Sequence, residues 1–310
     1  MDVQLHGKAV AEKQRRGWSQ KEKKEVFWGY TFILPQLLGM LVFSIFPLIS
    51  VFVLSLTQWD GLGDIHFVGF QNFIDQFTGE DLRIALARTV YYTVLTVPIG
   101  LFIALMLSLA LNNVRGKSFY RLLYFMPYVT GSVAVGVIWS WLLNSDLGLI
   151  NNLLKGWFHI DGIGWLTDSR YVIPSLAMVG IWQGLGFNIV LFLAGLQGIP
   201  QTYFEAARID GANRFQTFWR VTLPLLTPTI FFTTVISVIN SFQVFDLTFI
   251  LTDGGPGKDS YTMVYHIYNL GFKSSQYGSA SAVAVILFLI LMVLTLIQFR
   301  LQRRWVHYEM

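Results

Sequence analysis

Glu205-Ala206-Ala207-Arg208-Ile209-Asp210-Gly211-Ala212-Asn213, running on through Phe218 to the Leu223-Pro224 pair, is a polar stretch set between two long apolar runs at about 172–198 and 225–251. Outward from it, four further apolar runs fall at about 28–56, 84–111, 119–143 and 278–300. A helix needs roughly 20 residues to cross a hydrocarbon core, and each run is long enough. Of the 310 residues, 54% are apolar and only 13% charged, a balance that a water-soluble domain of this size does not carry. The fold class is therefore all-α, a polytopic membrane protein with six transmembrane helices. Its expected parts are a basic tail at 1–27, a transmembrane domain at 28–300 with an internal polar loop at about 199–224, and a short tail at 301–310. There is no cysteine, which excludes disulfides and thiolate metal sites.

Orientation follows from the basic residues, because short loops rich in Lys and Arg stay in the cytoplasm. The N-terminal tail holds Lys8, Lys13, Arg15, Arg16, Lys21, Lys23 and Lys24; the second-to-third connection holds Arg115, Lys117 and Arg121. The loop at 199–224 holds Arg208, Arg214 and Arg220, and the end of the chain Arg300, Arg303 and Arg304. The opposite connections are richer in acids, among them Asp60, Asp64, Asp75, Asp146, Asp161 and Asp168. The alternation predicts both termini and the polar loop on the cytoplasmic side. The run from Trp28 to Leu56 is too long for a cleaved signal core and reads as an uncleaved anchor. Trp28, Trp59, Trp139, Trp141, Trp182 and Trp305 are read as interfacial anchors near span ends. Gly180, Gly184 and Gly186 are read as small residues that let helices approach closely.

Within the loop, Pro200 closes the fourth span and Thr202-x-x-Glu205 has the form of a capping box, which starts a helix near Tyr203. Gly211 suits the left-handed position that ends a helix, and Asn213-x-x-Gln216 can cap a second one. Phe215, Phe218, Trp219 and Thr222 recur at helical spacing, and Pro224 stops that helix. A short helix in water is marginal alone, so contacts must hold it. Those contacts are either its own membrane domain or a partner.

The stretch Glu205 to Ala212 closely resembles the E-A-A-x-x-D-G-A motif of the membrane subunits of binding-protein-dependent ABC importers, and the likeness, nearest to their sugar permeases, runs from about residue 28 to the C-terminus. The string from Leu251-Thr252-Asp253-Gly254-Gly255-Pro256 to Tyr265, Tyr268 and Phe272 resembles an external loop of the same permeases. The resemblance implies a permease subunit in a prokaryotic cytoplasmic (inner) membrane, with a second homologous permease, two ATP-binding subunits and an extracytoplasmic solute-binding protein as partners. It also implies that Glu205, Ala206, Ala207, Asp210, Gly211 and Ala212 couple the chain to those ATPases. ATP and magnesium would sit on the partner subunits, with no cofactor in this chain.

The chain's nearest approach to a phosphate loop, Gly254-Gly255-Pro256-Gly257-Lys258-Asp259-Ser260, lacks the upstream glycine and places Asp259 where a magnesium-ligating hydroxyl is required. Histidines 6, 66, 159, 266 and 307 have neither ligand spacing nor a paired nucleophile, so no enzyme site is read and no metal expected. The positive net charge of +4 reflects topology rather than nucleic-acid binding.

Within the spans, Asp246 is the one ionisable group well inside, a thin basis for ion coupling by a stand-alone secondary carrier. Asn240, Gln243, Phe245 and Asp246 on the fifth span, with Gln183 and Asn188 on the fourth, supply amides, a carboxylate and a ring suited to a sugar, or equally helix-to-helix hydrogen bonds. Asp246 is expected to order the outer gate more than to bind sugar. The alternative substrate is glycerol phosphate or another phosphorylated polyol; Arg88 and Lys273 are too few cations to decide for it.

Overall fold

The computed structural model describes residues 19–306 apart from 113, 115, 161 and 304. Lys8, Lys13, Arg15, Arg16, Arg115, Asp161, Arg304, His6 and His307, with most of the first expected tail and half of the second, lie outside the described residues. The described residues divide after residue 53 into two compact units.

In the first unit, helix α1 (Gln20–Met40) starts upstream of Trp28, because Ser19 and Glu22 close a capping box: Ser19 N–H donates to Glu22 Oε2 at 2.7 Å and Glu22 N–H to Ser19 Oγ at 3.2 Å. Residues 20–27, expected in the tail, are thus helical. The chain widens into a π-turn at Leu41–Ile45 before α2 (Phe46–Leu54). Pro47 explains the widening, since its ring cannot fit against the carbonyl four residues back.

The second unit begins with a short hairpin, β1 (Thr57–Gln58) against β2 (His66–Phe67), and α3 (Gln71–Thr78). Helix α4 (Glu80–Asn112) and α8 (Val172–Gly198) pack along each other, with Ala104, Ile189, Phe192 and Leu193 buried at one end and Tyr92, Leu176 and Val179 further along. Between them in sequence come α5 (Lys117–Val129), α6 (Ser132–Leu142) and α7 (Leu149–Phe158). After α8 follow α9 (Gln201–Ile209), α10 (Arg214–Thr217), α11 (Leu223–Phe242), α12 (Asp246–Thr252), α13 (Met263–Tyr268) and α14 (Tyr277–Gln302).

Among the described residues, five helices are long and apolar enough to cross a bilayer, and a sixth crossing is made if the bent pair α5–α6 counts as one. Three expectations need correction. The third span, 119–143, is not straight: it turns by 90° at residues 130–131, next to Pro127 and Gly131. The fifth, 225–251, starts earlier, as one run over Arg214–Phe242, and breaks at residues 243–245 before α12. Pro224 does not stop it. Leu223 N–H reaches back to Phe218 O in a π-turn at Phe218–Thr222, and the widened turn makes room for the Pro224 ring, so the helix continues through it. Finally, Trp182 sits in mid-helix, edge-on to Trp139 at 5.5 Å, rather than at a span end.

The glycines of α8 divide by what faces them. A Cβ on Gly186 would stand 2.1 Å from Tyr124 O, and one on Gly180 2.2 Å from the Tyr92 hydroxyl. Gly186 marks close approach of two backbones and Gly180 the seat of a tyrosine side chain, the kind of tight packing by which helices associate in lipid, where burial gives no driving force between them. Gly184 has nothing within 4 Å and faces open space. Gly186→Ala should therefore lower stability by about 1–3 kcal/mol through overpacking, whereas Gly184→Ala should stay within about 0.5 kcal/mol of the parent. Thermal unfolding in detergent reads both, and equal losses would contradict the assignment.

Candidate functional site

A cavity of about 580 Å³ opens where α4, α8 and the broken ends of α5–α6 and α11–α12 converge. All six residues expected along a substrate path line it: Gln183 and Asn188 from α8, Asn240 near the end of α11, and Gln243, Phe245 and Asp246 from the break and the start of α12. The break sets their positions. Gln243 N–H is shared between Ile239 O and Asn240 O at 3.2 Å, which ends α11, and Thr262 Oγ1 donates to the freed Val244 O at 3.1 Å. Asp246 then opens α12, where a carboxylate complements the helix dipole. It is the sole charged residue in the lining; Lys and Arg are absent from it.

Tyr128 and Phe187 also line the cavity, their rings stacked at 5.1 Å and 19°, with Gly184 beside them. Sequence reasoning missed all three. Tyr128 lies within what reads as a continuous apolar span, and the signals of the bend beside it are Pro127 and Gly131. Gly184 was grouped with two glycines that pack.

Above the cavity in sequence terms, the segment 253–276 is tied to α4 by ion pairs Arg88–Asp259 and Lys258–Asp81, and by Met263 N–H donating to Thr89 Oγ1 at 2.9 Å. Lys273 Nζ meets Asp253 at 2.8 Å and the Tyr265 hydroxyl at 2.8 Å. The Lys273 bond holds the Asp253 carboxyl below its ordinary range, and Asp253 in turn raises Lys273. Both cations weighed for a phosphate site, Arg88 and Lys273, are thus already paired. Burial pushes the Tyr261 hydroxyl up to about 12 and His266 down to about 4. His266 lies between the Tyr261 hydroxyl at 3.1 Å and Gln76 Oε1 at 2.9 Å.

At the other polar region, α9 begins at Gln201 with Pro200 in the capping position, and the expected Thr202–Glu205 box does not form. A proline there fixes the backbone before Thr202 could cap, so Thr202 falls inside the first turn. The helix ends as expected on a left-handed Gly211, φ +73°. Ala212 N–H bonds Ala207 O at 2.9 Å and Gly211 N–H bonds Arg208 O at 3.1 Å, the paired bonds of a Schellman motif. Asn213 and Gln216 form their reciprocal box, at 2.8 and 2.9 Å, but the helix that they cap merges into α11. Ala207 is buried, and Phe204 packs on the cluster of Leu196, Ile199 and Leu226. Glu205, Ala206, Asp210 and Gly211 stay exposed, with Ile209 87% accessible. The loop therefore rests on its own domain by one face and presents the other.

Residues 85–307 match the family model described as binding-protein-dependent transport system inner membrane component. Among curated relatives, the probable ABC transporter permease protein YesP of Bacillus subtilis is 37% identical, over 94% of this chain and 95% of its own. The sn-glycerol-3-phosphate transport system permease protein UgpA of Agrobacterium fabrum is 35% identical (90% and 96%), and the multiple sugar-binding transport system permease protein MsmF of Streptococcus mutans 34% (90% and 96%). A chain of the bacterial alginate ABC transporter, solved in complex with an alginate pentasaccharide-bound periplasmic protein, superposes with TM-score 0.80 at 25% identity, covering 92% of this chain and 96% of that one.

The buried His266 gives the segment 253–276 an acid limit. Its folded pKa lies below the ordinary 6.5, so its contribution is complete above about pH 6.5 and is lost as pH falls toward 4, on the order of 3 kcal/mol in all. The loss from Asp253 falls lower, beneath the ordinary carboxyl value of 3.8, and is separable. Unfolding midpoints between pH 7 and 4.5 should fall in the parent and flatten in His266→Gln; parallel slopes would show that His266 is not held neutral.

Proposed function

The chain belongs to the family of binding-protein-dependent transport system inner membrane components, and from that premise we propose that it is the permease subunit through which an ATP-driven importer carries a sugar or oligosaccharide into the cell. The cavity lining is the observation that carries the substrate class. Amides of Gln183, Asn188, Asn240 and Gln243 offer donors and acceptors for hydroxyls, while Tyr128, Phe187 and Phe245 offer ring faces to the apolar side of a pyranose. A glycerol phosphate importer is the second reading, favoured by the similarity to UgpA. A phosphate dianion calls for cationic or dense N–H donors, and the one charge in the lining is the carboxylate of Asp246.

The chain works as one part of an assembly. A second homologous permease completes the pathway across the bilayer, two ATP-binding subunits hold ATP and magnesium, and an extracytoplasmic solute-binding protein delivers substrate. The protein sits in the prokaryotic cytoplasmic membrane with both termini inside, so the basic loop at 199–224 faces the ATPases. Glu205, Ala206 and Asp210 are the contact face, Ala207 and Phe204 the anchor, and Gly211 with Ala212 the turn that fixes the angle. From that turn a single helical run, Arg214–Phe242, leads to the cavity wall. Its 29 residues span about 43 Å at 1.5 Å per residue. ATPase closure displaces the loop, the run transmits the displacement, and Asn240 and Gln243 move at its far end, opening the cavity alternately to either side.

Purified from native membranes through a C-terminal tag, the chain should bring down a second permease and an ATP-binding subunit. The complex, reconstituted in vesicles with its binding protein, should take up a saccharide with ATP and leave sn-glycerol 3-phosphate outside; recovery of the chain alone, with ATP-independent uptake, would sink the reading. Gly211→Pro, which cannot adopt the left-handed turn, should cut substrate-stimulated ATPase activity at least tenfold. Asp246→Asn should lower the uptake rate several-fold with the order of preferred sugars unchanged; a reordered preference would make Asp246 a substrate ligand instead.

A further inference from the structure

The last helix is buried along its first half, from Gly278 to Leu287, and uncovered further along. On the uncovered half, Val293, Leu296, Ile297, Arg300 and Arg303 recur at intervals of three and four and so share one face. With Phe299 they line a shallow groove of about 730 Å³. The three aliphatic side chains are 49–61% accessible. Phe299 is braced edge-on by Phe231 at 5.2 Å, and Phe231 in turn meets Trp305 where the chain folds back, so the groove has a fixed wall at the arginine end.

Arg300 and Arg303 have no ion pair among the described residues. Among the described residues the ion pairs are Arg88–Asp259, Arg170–Asp168, Lys258–Asp81 and Lys273–Asp253, all remote in sequence from Arg300 and Arg303. Two guanidiniums one helical turn apart, at the end of a strip of exposed aliphatic side chains, match the shape and charge of a lipid: acyl chains along Val293, Leu296 and Ile297, and a phosphate held by fork-shaped donors. A second protein subunit on this face would have to bring carboxylates for both arginines or bury them unpaired.

The geometry points to a site for an anionic phospholipid on this face, with the headgroup phosphate between Arg300 and Arg303. Net negative charge is the selecting property, because a zwitterionic headgroup places a cation beside the same phosphate. The site binds the last helix where it adjoins α11, the helix that leads from the polar loop to the cavity, and so makes the end of that pair sensitive to membrane composition.

The test is native mass spectrometry of the full chain, purified with the subunits that accompany it and exchanged into vesicles of equal parts phosphatidylcholine and phosphatidylglycerol. The parent should retain phosphatidylglycerol at least tenfold over phosphatidylcholine, and Arg300→Gln with Arg303→Gln should reduce that preference at least fivefold. Arg300→Lys with Arg303→Lys, which keeps the charge, should restore most of it; Arg214→Gln with Arg220→Gln, which removes two arginines away from the groove, should leave it intact. Equal loss in the Arg214 and Arg220 variant would reduce the effect to general surface charge and overturn the site. So would equal retention of the two lipids by the parent, or efficient cross-linking of Leu296→Cys, in this otherwise cysteine-free chain, to a neighbouring membrane subunit.

Discussion

Lipid supplies no hydrogen bonds, so each interruption of a membrane helix survives only where the protein itself answers the backbone groups that it frees. Two of the interruptions here, between α5 and α6 and between α11 and α12, border the site, and at both a threonine donates to a backbone carbonyl. At the bend between α5 and α6, the N–H and hydroxyl of Thr130 both donate to Met126 O, at 3.0 and 2.8 Å. In α11, Pro228 cannot donate to Pro224 O, and Thr227 Oγ1 does so at 2.6 Å. At the break between α11 and α12, Thr262 reaches across from another segment to Val244 O. Threonine next to a break is thus the local device by which this chain bends without exposing backbone to hydrocarbon.

The same constraint explains what the sequence could and could not disclose. The existence of the spans was legible, because apolar length is a direct signature of the bilayer, and the fourth span was found to the residue at 172–198. Breaks were not legible, because a bent span and a straight one have the same hydropathy. Prolines gave mixed guidance: Pro127 lies beside a 90° bend, whereas Pro224 is absorbed by a π-turn. What separates them is how the helix meets the ring: after Pro127 the chain leaves helical geometry at Thr130 and Gly131, whereas before Pro224 a π-turn widens the helix to take the ring.

Local chemistry in the polar loop was more readable than packing, since caps and left-handed glycines depend on neighbours in sequence. Gly211 and the Asn213–Gln216 box followed directly from it; the Thr202–Glu205 box failed because Pro200 had already taken the capping position. The cavity shows a mixed case. Five of its six expected residues came from polarity, the signal that lipid makes expensive and therefore informative, and Phe245 came from its place among them. Tyr128, Phe187 and Gly184 are apolar or small, and in an apolar span such residues carry no mark of facing a cavity rather than lipid.

Charge shows how the two polar regions differ in kind. Cations of the segment 253–276 are consumed by ion pairs that lace it to α4 and to itself, so that region is rigid, with its charges satisfied internally. Around the loop at 199–224 and the end of α14, Arg208, Arg214, Arg220, Arg300 and Arg303 have no ion pair among the described residues. Exposed arginines cost little in water, but the five here outnumber the two acids of the loop, Glu205 and Asp210, and the excess favours anions from elsewhere. A chain with charges neutralised at one end and left open at the other is suited to holding its own shape at the first and taking partners at the second. The helical run from Arg214 to Phe242 leads from the loop to the cavity, whose lining includes Asn240.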